Sequence, residues 1–261
     1  MLPDADTVGR LIAEIAAAEI MPYFAKLEHG DISEKKPGDL VTVADLAAER
    51  ALTAALTGLA PGSIAVGEEA VAADPGAIGA LKGDAPVWII DPIDGTVNFA
   101  SGNPVFAVMV ALFTGGETVM SWIYDPVKQL MATAGRGEGA WQGGRRLAVA
   151  HSASPTGARL GNRPLARRLP DSSRFIDVVF DYRCAGHEYI ALASGAAQYA
   201  YYNRLNPWDH APGFLLHREA GGFGARLDRS PYDPRETGFG LMLAPDEASW
   251  TALRDVLVVK F

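Results

Sequence analysis

The spacing of apolar residues predicts two helices near the start of the chain. Across residues 4–21 the apolar side chains recur on one helical face, and Pro22 ends this pattern. A second helix is predicted after the segment GDLVT, because Thr42 and Asp45 have the spacing of a capping box. This helix is rich in alanine and leucine and continues to about residue 58. Both helices are expected to pack one face on a core.

Short apolar or alternating segments follow and predict strands. They are SIAVG, VWIID, VFAVMVALF, TVMSWIYDP and QLMATAG, and WQGGRRL carries a Gly-Gly hairpin signal. Residues 1–150 are therefore predicted to form an α+β half with one large, mainly antiparallel sheet. Strands and helices alternate after this point, which predicts an α/β half over residues 151–261. The Ala- and Gly-rich segment EEAVAADPGAIGALKGDAP is interpreted as a linker-like, mobile loop.

The charge balance limits the classes of partner. The 261 residues include 31 acidic and 23 basic side chains, a formal net charge of −8, which argues against nucleic acid and anionic membranes as partners. The basic stretch 163–168 is either a solvated helix face or a rim that attracts an anionic substrate. Cys184 is the only cysteine, so an intrachain disulfide and a cysteine-rich zinc site are excluded. Without an export signal or a membrane anchor, a cytoplasmic protein is expected.

The strongest candidate site is the segment from Asp91 to Thr96, which directly follows the apolar strand VWII. If Asp91 and Asp94 converge, their carboxylates repel each other unless a cation lies between them, and a hard divalent ion suits oxygen ligands. Gly95 and Thr96 add a close backbone approach, a hydroxyl and N–H groups that favour a phosphate. The alternative is an Asx-turn, in which both aspartates bind only local amides.

Four further acids occur at the ends of predicted elements. Glu68 and Glu69 follow the strand SIAV, and Glu68 is the candidate ligand, although adjacent glutamates there often face solvent. Asp209 lies at a helix entrance in PWDHA, where an N-cap is the alternative. Asp45 is either only a capping-box residue or a carboxylate for a weaker metal or its water. Their common occurrence favours one shared pocket, formed by Asp45, Glu68, Asp91, Asp94 and Asp209.

These motifs resemble the inositol monophosphatase family of magnesium-dependent, lithium-sensitive phosphatases. The segments GDLVTVAD, VGEE, WIIDPIDGTVNF, IYDPV with GRGEGAWQGGRRL, and PWDHAPG with REAGG occur in the family's order. The resemblance implies a layered α-β-α-β-α sandwich of the inositol monophosphatase and fructose-bisphosphatase type, and a homodimer. It also implies that two or three Mg²⁺ ions assist hydrolysis of a small phosphate monoester by activated water.

The resemblance also implies roles for individual residues. The implied metal ligands are Glu68, Asp91, the backbone carbonyl of Ile93, Asp94 and Asp209. The residues implied to be catalytic, because they hold the attacking water, are Glu68, Thr96 and Asp45. The residues implied to bind substrate are Asp94, Gly95, Thr96, Asp209 and Asn203. Physically, such a site works mainly by positioning and electrostatics, so no side-chain nucleophile is required.

Two departures from the family pattern fall on the substrate side. Small residues are common after the glycine at 186, but this chain has His187, Glu188 and Tyr189. Where a ring-contacting acid is common, it has Asn203 and Arg204. The released alcohol therefore stays open among an inositol phosphate, histidinol phosphate, a sugar bisphosphate and a nucleotide 3′-phosphate.

The remaining basic side chains and the histidines leave further alternatives open. Arg183 and Arg204 either form structural salt bridges or pair with a second anionic group of the substrate. His187 and His210 are interpreted as packed or surface groups, with a substrate-facing role as the alternative. A non-enzymatic hypothesis is a regulatory binding protein that retains the fold. A non-phosphatase metal hydrolase is disfavoured, because the five histidines are scattered.

Overall fold

The computed structural model describes residues 2–151, 159–160, 177–178 and 182–257. The basic stretch 163–168 lies outside these residues, so its two interpretations are left as they stand. In the part of the chain that is described, no helix combines the length and the apolar character that crossing a membrane requires.

The two predicted N-terminal helices are confirmed. Asp4 caps the first of them by accepting a hydrogen bond from Thr7 N at 2.8 Å. Thr42 and Asp45 form the predicted capping box of the second, in which Thr42 N donates to Asp45 Oδ2 at 2.8 Å. A short antiparallel hairpin precedes this second helix. The bounds are α1 (Ala5–Ile15), a π-helical turn (Ala16–Ile20), β1 (Ile32–Lys36), β2 (Asp39–Thr42) and α2 (Val43–Leu59).

The predicted large sheet is confirmed as a sheet of seven strands that lie side by side in chain order. The first two strands are parallel and all other neighbours are antiparallel. The strands are β3 (Ile64–Gly67), β4 (Val87–Asp94), β5 (Ala107–Thr114), β6 (Glu117–Asp125), β7 (Leu130–Gly135), β8 (Gly139–Gln142) and β9 (Arg145–Arg146).

The predicted linker-like loop between β3 and β4 is wrong, because this segment is helical. It forms α3 (Glu68–Ala73) and a 3₁₀ helix (Pro75–Lys82). Alanine is the best helix former, and Asp74 starts the second helix by accepting a hydrogen bond from Gly76 N at 2.9 Å. Leu81 is buried in an apolar cluster with residues of β3 and β4. The glycines of this segment favour a loop, but its alanines and its cap stabilise helices instead.

In the first 150 residues, a short helix, α4 (Thr96–Ala100), follows β4. Between residues 182 and 257, strands and helices mostly alternate. The later elements include an antiparallel three-stranded sheet with the order β12, β14, β13. Their bounds are β10 (Arg159–Leu160), β11 (Asp177–Val178), α5 (Ala185–Ala193), β12 (Ala200–Tyr202), α6 (Pro207–Glu219), β13 (Phe223–Arg226), β14 (Leu241–Ala244) and α7 (Glu247–Val256).

Three apolar clusters stack these elements into five layers. The first joins α1 and α2 to one face of the seven-stranded sheet, through residues such as Trp88 and Trp122. The second lies between the other face, α5, α6 and the small sheet, and includes Tyr189. The third joins the outer face of the small sheet to α7 through Trp250. The α-β-α-β-α sandwich is thus confirmed, while the division into halves at residue 150 stays a prediction.

Candidate functional site

The carboxyl end of β4 is bent by a bulge. Asp91 pairs with Met109 of β5 and Asp94 pairs with Ala107, so three steps along β4 match two along β5. Asp91 is 1% exposed, and its Oδ1 accepts a hydrogen bond from Ile93 N at 3.1 Å. The Asx-turn considered as an alternative is therefore present, but it uses only one carboxylate oxygen of Asp91.

Three carboxylates meet at this end of the sheet. Glu68 follows β3, Asp91 lies in β4, and Asp209 lies in the first turn of α6, and each offers an oxygen within 4.8 Å of the others. Because β3 and β4 are parallel, their carboxyl ends share one edge. The N-cap interpretation of Asp209 is wrong, since Asn206 is the N-cap and its Nδ2 donates to Asp209 Oδ2 at 3.0 Å.

The electrostatics of this cluster favour a bound cation. Burial, followed by the charges of Glu68 and Asp94, raises the pKa of Asp91 well above its usual range. Burial and the same two charges raise the pKa of Asp209 in the same way. The three side chains offer only carboxylate oxygens as ligand atoms, and hard divalent ions prefer oxygen ligands. The cluster therefore fits a metal such as Mg²⁺, and a cation would relieve the repulsion.

Asp94 lies apart from this group of three. Its Oδ2 accepts hydrogen bonds from Gly186 N at 2.6 Å and from the Cys184 Sγ at 3.0 Å, at the start of α5. Burial raises the pKa of Asp94, and these hydrogen bonds oppose that shift. A Cβ on Gly186 would lie 3.0 Å from Ala107, so the glycine permits the close approach of α5 to β5.

Asp45 and Thr96 face each other beside the cluster. Thr96 Oγ1 lies 3.4 Å from Asp45 Oδ1 and 3.0 Å from the carbonyl oxygen of Ile93. Asp45 is also the capping-box residue, and its role as a carboxylate for a weaker metal or its water stays a prediction. Burial raises the pKa of Asp45 to about 6. Gly95 precedes Thr96 with φ +90°, and a Cβ there would lie 3.1 Å from the carbonyl oxygen of Val105.

Two charged residues that the sequence analysis missed contact the site. Lys35 Nζ, on β1, lies 2.6 Å from Glu68 Oε1 and 2.9 Å from Glu69 Oε1. Burial by itself would lower the pKa of Lys35, but the charges and hydrogen bonds of Glu68 and Glu69 outweigh burial, so the pKa of Lys35 is raised. Glu49, on α2, accepts hydrogen bonds from Glu69 N and Ala70 N, both at 2.8 Å.

Only Glu49 had a signal in the sequence. It stands one helical turn after Asp45, which places two acids on the same face of a helix that is otherwise mainly apolar. Lys35 lies 33 residues from Glu68 along the chain, and no local pattern connects the two.

The residues that depart from the family pattern are divided between the surface and the interior. Asn203 and Arg204 are exposed. His187 is buried, and its Nε2 lies 3.2 Å from the carbonyl oxygen of Phe106, so its interpretation as a packed group is confirmed. His210 is also buried and packed, with contacts to Tyr189 and to the backbone of Arg204.

Comparison with known proteins gives the family. Residues 4–254 match the model of the inositol monophosphatase family. The chain is 34% identical over 217 residues to an inositol-1-monophosphatase of Mesorhizobium japonicum, covering 78% of this chain and 79% of that protein. The chain therefore belongs to the inositol monophosphatase family.

One further relative and one solved structure are also similar to this chain. The Nus factor SuhB of Pseudomonas aeruginosa is 35% identical over 227 residues, covering 80% of both chains. A solved inositol monophosphatase of Thermotoga maritima shares the fold with a TM-score of 0.80 at 23% identity, covering 96% of this chain and 95% of that one. The Mesorhizobium and Thermotoga proteins are named as inositol monophosphatases, and the Pseudomonas protein is named as a factor.

Proposed function

We propose that the protein is a Mg²⁺-dependent phosphomonoesterase that hydrolyses a small phosphorylated alcohol resembling inositol monophosphate. The observation that carries this proposal is the convergence of Glu68, Asp91 and Asp209 within 4.8 Å. Three mostly buried carboxylates with raised pKa values need a compensating cation in order to stay ionised together. Membership of the inositol monophosphatase family supports phosphate ester hydrolysis as the reaction.

The proposed site consists of two groups of residues. The ligands of two or three Mg²⁺ ions are Glu68, Asp91, the carbonyl of Ile93, Asp94 and Asp209. Bound Mg²⁺ would supply an acidified water and would neutralise charge on the phosphate and on the leaving oxygen. The substrate contacts are Asp94, Gly95, Thr96, Asp209 and Asn203.

The chain's own groups orient the attacking water. The Thr96 hydroxyl lies between two acceptors, Asp45 Oδ1 and the Ile93 carbonyl oxygen. A hydroxyl held in this way can accept a hydrogen bond from water, while the carboxylates of Asp45 and Glu68 can accept the water's protons. Gly95 takes a left-handed conformation in the tight turn before α4, and the backbone N–H groups at this turn are proposed to bind the phosphate.

The test is the release of inorganic phosphate from a substrate panel with Mg²⁺. Inositol 1-phosphate, histidinol phosphate, fructose 1,6-bisphosphate and adenosine 3′,5′-bisphosphate cover the candidate substrates. We expect turnover of at least one of them that depends on Mg²⁺ and falls in Asp94→Asn. The exposed Asp228→Asn is the matched control and should keep full activity. Undiminished Mg²⁺-dependent turnover in Asp94→Asn would contradict the proposed ligand set.

We further propose a cytoplasmic homodimer that is inhibited by lithium, on the strength of the family membership. Sedimentation gives the oligomer, and phosphate release with added LiCl gives the inhibition. The alternative hypothesis is a regulatory binding protein that retains the fold. The Pseudomonas relative, which is named as a Nus factor, supports testing this alternative. A folded, Mg²⁺-binding protein that hydrolyses nothing in the panel would favour a regulatory binding role.

A further inference from the structure

A buried histidine stands directly beside the proposed ligand Asp209. His210 is 2% exposed, and its ring lies among three tyrosines, with its centroid 4.6 Å from that of Tyr202 and 6.4 Å from that of Tyr232. Its two ring nitrogens both have partners. Nδ1 lies 3.1 Å from the hydroxyl of Tyr189, and Nε2 lies 2.7 Å from the carbonyl oxygen of Arg204.

These partners determine where the ring proton lies. The carbonyl of Arg204 can only accept a hydrogen bond, so Nε2 of His210 carries the proton and donates it. Nδ1 is then an acceptor, and the hydroxyl of Tyr189 donates to it. The result is a directed chain of two hydrogen bonds that runs from Tyr189 through His210 to the backbone of Arg204.

This chain of hydrogen bonds ties the connection before α6 to the first turn of α6, which carries Asp209. Residues 203–206 connect β12 to α6, and His210 holds them at the carbonyl of Arg204. Two residues later, Asn206 Nδ2 donates to Asp209 Oδ2 at 3.0 Å. The connection is thus tied to the first turn of α6 at two points, one of which is an oxygen of the proposed ligand itself.

The other end of the chain of hydrogen bonds, Tyr189, lies on the helix whose first turn contacts Asp94. Tyr189 lies one turn after Gly186 on α5, and Gly186 N donates to Asp94 Oδ2 at 2.6 Å. The Tyr189 ring packs where a Cβ on Gly213 of α6 would overlap it, so the two helices approach closely. Tyr189 and His210 therefore link the helix that holds Asp94 to the helix that carries Asp209.

We propose that His210 is a positioning residue, which sets the carboxylate of Asp209 relative to Asp91 and Glu68 through Arg204 and Asn206. The proposal rests on the metal site described under the proposed function. Tyr189, one of the residues in which the chain departs from the family pattern, acts with His210 as its hydrogen-bond donor. Groups that orient metal ligands commonly change metal affinity by 10- to 100-fold when they are removed.

The test is a calorimetric Mg²⁺ titration of the whole protein without substrate. His210→Phe keeps an aromatic ring at this position but removes both ring nitrogens. We expect the Mg²⁺ dissociation constant of this variant to rise about tenfold or more. His210→Gln can still donate to Arg204, so its constant should stay within about threefold of the wild type. Tyr189→Phe removes only one hydroxyl and should give an intermediate rise, which keeps the proposal testable if His210→Phe does not fold.

His217→Phe is the matched control, because His217 is a second buried histidine on α6. It should leave the Mg²⁺ dissociation constant unchanged even if it lowers the thermal midpoint. A wild-type constant in His210→Phe, or an equal loss in His210→Phe and His210→Gln, overturns the positioning role. If the wild type binds no Mg²⁺, the proposed function fails instead, so the two failures are distinguishable.

Discussion

At the scale of single residues, the site is defined by like charges that the fold holds together. Asp91 is fully buried, and burial, then Glu68 and Asp94, raises its pKa. Removing one of these charges should therefore separate stability from activity. The metal-free protein is relieved of repulsion when a carboxylate becomes an amide, whereas a bound cation loses a ligand.

We expect Asp91→Asn to lose more than about a hundredfold in Mg²⁺-dependent phosphate release, since even outer-shell changes cost 10- to 100-fold. Its thermal midpoint in EDTA should equal or exceed that of the wild type. Phosphate release and differential scanning calorimetry measure the two quantities. A variant that is inactive because it has lost its fold would refute this explanation, and Asp228→Asn controls for the change of charge.

Lys35 provides a second prediction at this scale, because it neutralises Glu68 and Glu69 in the metal-free protein. Lys35→Met should lower the free energy of unfolding in EDTA by roughly 2–4 kcal/mol, at or below the cost of breaking a fully buried pair. Added Mg²⁺ should reduce this deficit, since the cation takes over the neutralisation. Urea unfolding in EDTA and in MgCl₂ measures both, with the exposed Lys36→Met as control.

At the scale of elements, the position of Glu68 depends on the start of α3. Glu49 accepts hydrogen bonds from Glu69 N and Ala70 N, and a Cβ on Gly67 would overlap its carboxylate. A side chain of α2 thus takes the place of a local cap for α3. This contact holds the turn between β3 and α3, where Glu68 stands.

Glu49→Ala should lower the free energy of unfolding by about 1–3 kcal/mol, because one buried and one partly buried N–H group lose their acceptor. Glu49→Gln keeps one acceptor oxygen and should lose less. Urea denaturation measures the difference, and the exposed Glu14→Ala on α1 should be nearly neutral. An equal, small effect in all three variants would show that Glu49 does not hold the start of α3.

Features that depend on residues close together in the chain can be predicted from the sequence, whereas contacts between distant residues cannot. The capping box at Thr42 and Asp45 and the end of β3 before Glu68 are visible in short segments, and the structure contains both, whereas β4 continues past Asp91 to Asp94. The contacts of Lys35 and Glu49 join residues that are 33 and 20 positions apart, so no short pattern indicates these contacts, although the spacing from Asp45 does mark Glu49 as a second acid on the same helix face. Residues 68–82 contain glycine, which favours a loop, and alanine, which favours a helix, and the structure shows that the helical preference prevails.

At the scale of the whole molecule, the order of layers came from the resemblance to a family, because periodicity alone does not determine how elements stack. The stability of the stack should depend on pH through buried histidines. Burial lowers the pKa of His217 to about 4, from about 6.5 in an unfolded chain. The unfolded chain therefore binds the proton more readily, and stability is lost as pH falls from about 6.5 towards 4.

Between pH 7 and pH 5 this histidine should contribute a loss of about 2 kcal/mol in the free energy of unfolding. Carboxylates with raised pKa values, such as Glu69 at about 7, act in the opposite direction, so the net slope of the wild type is smaller. These carboxylates are present in both the wild type and His217→Gln. The difference between the two proteins in the pH dependence of the free energy of unfolding therefore reports on His217 alone. Urea unfolding at both pH values measures it, and parallel slopes would refute the assignment.

The three carboxylates of Glu68, Asp91 and Asp209 are proposed to form the Mg²⁺ site of a phosphomonoesterase, and this proposal can be tested directly. Its most direct test is phosphate release from inositol 1-phosphate and the other panel substrates by protein stripped with EDTA, as Mg²⁺ is added back. We predict no release without metal, release that saturates with Mg²⁺, and none above background in Asp91→Asn. Equal release in EDTA, or full Mg²⁺-dependent release by Asp91→Asn, would contradict the account.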